Sequence, residues 1–209
     1  NIHAIGDRAN RIALDEFERV FKKPESTLIN GDALRHRVEH AQVVHPEDIP
    51  RFKTLNIIPS MQPTHATSDK IMAPKRIGEA RLKGAYAWQS FLKQGSKIVA
   101  GSDFPVELAN PFFGVHAAVA RQDRDNQPQG GWIMEEAMTV KQALKAFTID
   151  AAFGAHQETK IGGLQAGKWA DFILLDQDIF AVQPKDLWKT RVLETWVAGK
   201  RVFKNKSTH

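Results

Sequence analysis

The feature that most constrains the fold is a rhythm. Between Ile2 and about Thr159, short apolar runs alternate with longer amphipathic stretches. Strands alternating with helices in this way form βα units, which build a parallel sheet covered by helices. Residues 1–6 read as the end of a strand, and Asp7 reads as the cap of a helix from Arg8 to about Phe21, with Ala9, Ile12, Ala13, Phe17 and Val20 near helical spacing. Leu34 to Glu39 reads as a strand ending at His40, followed by a helix that Pro46 opens and that runs through Leu55. Ile57 to Met61 reads as a short buried strand, followed by a polar loop from Gln62 to about Lys75 and an amphipathic helix stopped near Gly95. Lys97 to Ala100 is a further strand, ended by Gly101 and Pro105. Thr139 with Gln142 three positions on is a capping box, opening a helix to about Phe147 that Ile149 to Ala155 continues.

From Ile161 the pattern changes to a small β unit. Ala170–Leu175 and Val192–Val197 read as strands, and Ala198-Gly199-Lys200 as a tight turn into Arg201–Phe203. The division expected is residues 1–160 and 161–209.

The chain has 209 residues, 42% hydrophobic and 25% charged, which is enough apolar material to bury a core. No stretch approaches the ~20 apolar residues of a membrane span, so no membrane partner is expected. Absence of cysteine excludes thiol nucleophiles and disulfides and fits a cytoplasmic protein. The net charge of +5 invites a nucleic-acid reading, but the basic residues are dispersed and their densest group, Lys200, Arg201, Lys204 and Lys206, lies in the tail. No nucleic-acid partner is expected. The chain opens at Asn1 in an apolar run without a charged leader, as if mid-fold.

In parallel α/β folds catalysis sits where the strands end. His3, His40 and Asp103 fall at such ends, and imidazole and carboxylate are ligands that zinc and other divalent metals accept. Each also has an ordinary reading: a hydrogen-bonded loop histidine, or an Asx turn at Asp103. His36, His45, His116, His156 and His209 have no motif around them and read as surface or structural. The tryptophans at 88, 132, 169, 188 and 196 read as packing residues.

Four local motifs, taken in order, go further. His3 with Ala-Ile-Gly-Asp7, Arg37-Val-Glu-His40 with Ala-Gln42, Gln62-Pro-Thr-His65, and Gly101-Ser-Asp103-Phe-Pro105 resemble the signatures of the amidohydrolase superfamily. The nearest branch is the one containing N-substituted formamide deformylases and exoenzyme-like hydrolases. Gly163-Leu-x-Ala-Gly167-Lys-x-Ala-Asp171-Phe resembles that superfamily's return to its small domain.

The resemblance implies the C-terminal half of a (β/α)8 TIM barrel plus strands of a small β-sandwich domain. It implies that His3, His40 and Asp103 are ligands for one or two divalent ions, zinc foremost, with Asp103 also the general base. Gln62, His65 and Asp69, in the loop after the Ile57–Met61 strand, read either as contacts to a small-molecule amide or as a solvated loop; Glu39 reads as a partner standing behind the ligands, and Asp7 as a support for His3 or simply a helix cap. The reaction implied is hydrolysis of C–N bonds in amides or N-substituted formamides. The barrel's first four strands have no counterpart here, so the chain alone is expected to be inactive, pairing with a missing N-terminal half or with copies of itself. Two other readings remain: a noncatalytic half-barrel that binds partners through open strand edges, and a metal-independent lyase or isomerase using Asp103 as base.

Overall fold

A computed structural model describes residues 1–23 and 34–206; His209 lies outside them. Four parallel strands pair in sequence order: β1 (Ile2–Ala4), β2 (Arg37–His40), β3 (Ile58–Met61) and β4 (Val99–Ala100). The segments between and after them carry helices α1 (Asp7–Phe21), α2 (Ile49–Thr54), α3 (Pro63–Asp69), α4 (Met72–Ile77), α5 (Trp88–Lys93), α6 (Pro111–Ala120), α7 (Val140–Phe147) and α8 (Ile149–Gly154). A separate antiparallel sheet joins β5 (Phe172–Leu175), β6 (Val192–Val197) and β7 (Lys200–Lys204). The chain is thus mixed α/β, as the alternation predicts.

Several boundaries differ from expectation, each for a local reason. The N-cap of α1 is Gly6, not Asp7, whose Oδ1 instead accepts the Arg8 N–H. The buried face of α1 is Asn10, Ala13 and Leu14, while Ile12 is exposed. Asn10 is fully buried because its Nδ2 reaches the carbonyls of Ala4, Gly6 and Val43 at 3.0–3.1 Å, tying the end of β1 to the loop after β2. Strand β2 starts at Arg37 because Arg35 sits in the left-handed region at φ 48°, which an extended strand excludes. Pro46 belongs to a turn, and α2 begins three residues later with Pro50 in its first turn.

The supposed loop after β3 contains two helices. Gln62 is the N-cap of α3 and Pro63 its first residue, a proline-at-N1 signal that could have revealed the helix. The amphipathic stretch before Gly95 is a 3-10 helix over Glu79–Gly84 and then the short α5. The capping box of α7 forms both its bonds, at 3.2 and 2.8 Å. Helix α8 does not continue α7, because Thr148 at φ −125°, ψ −83° breaks the run.

The junctions from helix to strand repeat one construction. After α2 the Asn56 N–H meets the Lys53 carbonyl and the Ile57 N–H meets Phe52; after α5 the Gly95 N–H meets Leu92 and the Ser96 N–H meets Phe91. Both are Schellman caps with a left-handed residue, Asn56 at φ 55° and Gly95 at φ 85°, turning the chain into β3 and β4. The core beneath joins Val38, Phe52, Ile57, Met61, Trp88, Phe91 and Ile98, with Phe52 and Phe91 edge to face at 5.0 Å. A packed core of this kind holds the strand ends at fixed spacing.

Candidate metal centre

His3 lies on β1, His40 ends β2, Gln62 follows β3 and Asp103 follows β4, so all four lie towards the carboxyl end of the parallel sheet. Register alone would not bring the two histidines together. His3 pairs with Glu39, and an unbroken pleat would send His40 to the opposite face. His40 has φ 77° and Ala41 φ 42°, so the backbone leaves the extended region at this point and the alternation ends. As a result His3 Nδ1 and His40 Nε2 lie 3.0 Å apart.

Gln62 decides which nitrogen of His40 carries a proton. Its Oε1 lies 2.9 Å from His40 Nδ1 and can only accept, so that nitrogen is the N–H and Nε2 presents its lone pair to His3. Two nitrogens bound to a tetrahedral zinc at the usual Zn–N length stand about 3.3 Å apart. The His3–His40 pair is within a few tenths of an ångström of that spacing, so these two imidazoles fit a divalent ion as a partial donor set.

Asp103 does not join them. Held at φ 58° in the turn after β4, it directs Oδ2 towards His65 Nε2 at 3.9 Å. Among the described residues no group of three or more His, Asp or Glu side chains is disposed to hold a metal. His65 is buried on α3, its ring 5.8 Å from that of His40, and its Nε2 has no hydrogen-bond partner. Burial lowers its pKa from the ordinary imidazole value; Glu107 opposes the shift and His40 reinforces it.

The other candidates occupy different stations. Asp69 faces Gln42 and Tyr86: its Oδ2 accepts from Gln42 Nε2 and from the Tyr86 hydroxyl, both at 2.6 Å, while Gln42 Nε2 also reaches the hydroxyl at 2.8 Å. Burial, then the bond to Asp69, raises the Tyr86 pKa above its ordinary value, so the phenol remains a donor. Glu39 is paired with Arg37, which also donates to the Gly154 carbonyl. Asp7 lies 3.9 Å from Arg81 and does not touch His3.

Sequence reasoning missed Tyr86 and Arg121. Arg121 is fully buried, donates to the carbonyls of Tyr86 and Trp132, and lies over the Trp88 ring at 4.2 Å. Burial lowers its pKa to about 10. No motif marks either residue. Of the histidines set aside, His116 is buried between the Pro184 and Asp123 carbonyls, and His36 packs on Phe17 and Phe21.

A sequential parallel α/β sheet with two imidazoles converging at its carboxyl end defines the class: an α/β scaffold that gathers polar side chains at its strand ends. The chain belongs to the Amidohydrolase family, whose sequence model matches residues 1–203. It is 37% identical over 204 residues to Protein LONG AFTER FAR-RED 3 of Arabidopsis thaliana, covering 97% of this chain and 33% of that protein. It is 29% identical over 200 residues to N-substituted formamide deformylase of Arthrobacter pascens, covering 95% and 35%. An uncharacterized metal-dependent hydrolase from Pyrococcus horikoshii OT3 superposes with a TM-score of 0.72 at 32% identity, over 88% of this chain and 35% of the other. The chain therefore spans about a third of the length of the curated relatives quoted.

Proposed function

We propose that this chain is the second half of a (β/α)8 barrel hydrolase that cleaves the C–N bond of a small amide or N-substituted formamide, with His3 and His40 as ligands of a divalent metal, zinc foremost. The observation that carries the reading is the 3.0 Å approach of His3 Nδ1 to His40 Nε2, made possible by the left-handed backbone at His40. The family assignment and the metal-dependent hydrolase from Pyrococcus horikoshii support it.

Four sequential parallel strands are half of what such a barrel needs, and a complete one takes ~250 residues. Ile173 and Phe203, both opposite Thr195 in the antiparallel sheet, are exposed on one of its faces, apolar surface that a further part of the protein would cover. The missing N-terminal half, or a second copy, is the expected partner.

A bound divalent cation supplies charge stabilisation for the scissile carbonyl and makes deprotonation of water accessible near neutrality. The chain's own residues do the rest. Gln62 keeps the proton of His40 on Nδ1, so that Nε2, which faces His3 Nδ1, is the nitrogen that would ligate. The Asp103 carboxylate, half-exposed in its turn, takes a proton from water and delivers it to the leaving nitrogen. His65, with Nε2 unpartnered beside that carboxylate, is placed to hydrogen-bond the substrate. Asp69, held by Tyr86 and Gln42, fixes the end of the helix that carries His65.

The test uses the full-length protein, loaded with zinc and assayed on an N-substituted formamide and a simple amide. His3→Ala and His40→Ala should each lower bound metal, measured by elemental analysis, and abolish turnover. Full activity after exhaustive chelation would overturn the reading and favour a metal-independent lyase or isomerase.

A further inference from the structure

The opposite end of the parallel sheet holds a cavity of about 240 Å3 lined by Arg35, Phe52, Lys53, Asn56, Ile57, Ile58, Ser96, Lys97 and Phe153. Arg35 precedes β2, Asn56 and Ile57 precede β3, and Ser96 and Lys97 precede β4. The cavity is therefore at the amino ends of three successive strands, a sheet's length from His3 and His40.

Its charge is one-sided. Arg35 is neutralised by Glu158 through both terminal nitrogens, and its guanidinium lies over Phe153 at 3.8 Å. Lys97 Nζ stands 4.6 Å from the centre of the same ring. Neither Lys53 nor Lys97 has a carboxylate partner among the described residues, and no acidic side chain lines the cavity. Both lysines are exposed at the cavity mouth, and among the described residues neither charge is paired.

Lysines near helix C-termini are often explained by the negative end of the helix dipole. Here that explanation is weak. Each terminus carries at most about half a negative charge, and the carbonyls of Phe52, Lys53, Phe91 and Leu92 are already occupied by the two Schellman caps. Both helices have only six residues. The two ends together offset at most about one of the two lysine charges.

We infer that this cavity binds a compact phosphate dianion, its oxygens between Lys53 and Lys97 and any small organic group against Phe153 and Ile58. Ser96 adds a donor, because its Oγ accepts from Gln94 Nε2 and its own hydroxyl hydrogen has no acceptor. The volume of about 240 Å3 is below the ~300 Å3 of typical small-molecule pockets, which fits inorganic phosphate or a small phosphate monoester. Its position makes it a site for an effector or stabilising ligand, separate from chemistry at the carboxyl ends, and the inference does not depend on the metal reading.

The experiment is calorimetric titration of the full-length protein with inorganic phosphate, and separately with phenyl phosphate, at constant ionic strength in chloride. The variants are Lys53→Met with Lys97→Met, and Lys200→Met on β7 as a control for general loss of charge. Saturable binding weakened at least tenfold by the double variant and unchanged by Lys200→Met is the expected result. Tighter binding of phenyl phosphate would identify a monoester as the ligand, and equal or weaker binding would identify the free ion. No saturable binding of either probe, or equal binding by the double variant and the parent, would overturn the inference.

Discussion

Replacing Tyr86 by Phe removes one oxygen and leaves the buried ring in place, so it isolates the link between Tyr86 and Asp69. The hydroxyl donates to a carboxylate at 2.6 Å and accepts from Gln42 at 2.8 Å. A hydrogen bond to a charged group contributes about 1.5–3 kcal/mol. Gln42 keeps its own 2.6 Å bond to Asp69, so the carboxylate is not stranded and the loss should fall near the middle of that range. Tyr86→Phe should therefore destabilise the protein by about 2 kcal/mol, roughly a thirtyfold change in the unfolding equilibrium. Denaturant unfolding measures the loss, and a double-mutant cycle with Asp69→Asn should return a coupling energy above about 1 kcal/mol. Because Asp69 is the last residue of α3, hydrogen exchange across Pro63–Asp69 should quicken as well. A loss below about 0.5 kcal/mol, the size expected of an unremarkable surface change, with unchanged exchange in α3, would refute the view that this bond anchors the helix.

Other substitutions probe the frame. Thr139→Ala removes one half of the capping box on α7 and should cost about 1 kcal/mol in chemical denaturation. Gly84→Ala would drive a Cβ into the Val44 carbonyl, a backbone atom that cannot rotate away, so it should cost about 3 kcal/mol or prevent folding, read by thermal melting and soluble yield. The Arg35 bond holds the Glu158 carboxyl down from its ordinary 4.5 to about 2. The folded state thus resists protonation that the unfolded state accepts, so the pair's contribution is complete above the ordinary value and is lost as pH falls towards about 2. Arg35→Met should lower stability at neutral pH, and its difference from the parent should shrink on acidification through that window.

Much of the fold was legible because it rests on periodicity. The four strands and the change of pattern after Ile161 follow from where apolar runs begin and end. The capping box at Thr139 and the stop at Gly95 were legible because their chemistry is local. What escaped was long-range. Asn10 looks like an ordinary polar helix residue until three carbonyls from two loops converge on it. Arg121 carries no local sign that it will be buried against Trp88. Helix α3 escapes the apolar pattern because Gln, Thr, His, Ser and Asp make a polar stretch, and only the proline at its first position marks a helix start.

The candidate site shows the same division more sharply. Strand ends and residue types single out His3 and His40, yet the period-2 rule, applied through β2, places His40 on the face away from His3. Only the left-handed backbone at His40 and Ala41 reverses that, and residues with a Cβ in that region carry a strain of order 1 kcal/mol or more. The strain is held by the surrounding structure: Val43 N–H on the Ile5 carbonyl, Asn10 on the Val43 carbonyl, and Gln62 on the His40 ring all act on the same turn. Asp103 has no comparable fixture. It follows a two-residue strand, no hydrogen bond to its carboxylate is formed among the described residues, and the ion-pair distance to His65 is a long 3.9 Å. The histidine pair is therefore built by bonds within this chain, while the position of the carboxylate remains open to whatever packs against the β4 edge. That asymmetry follows if the pair is a preformed part of a larger centre and Asp103 completes it only when the rest of the barrel is in place.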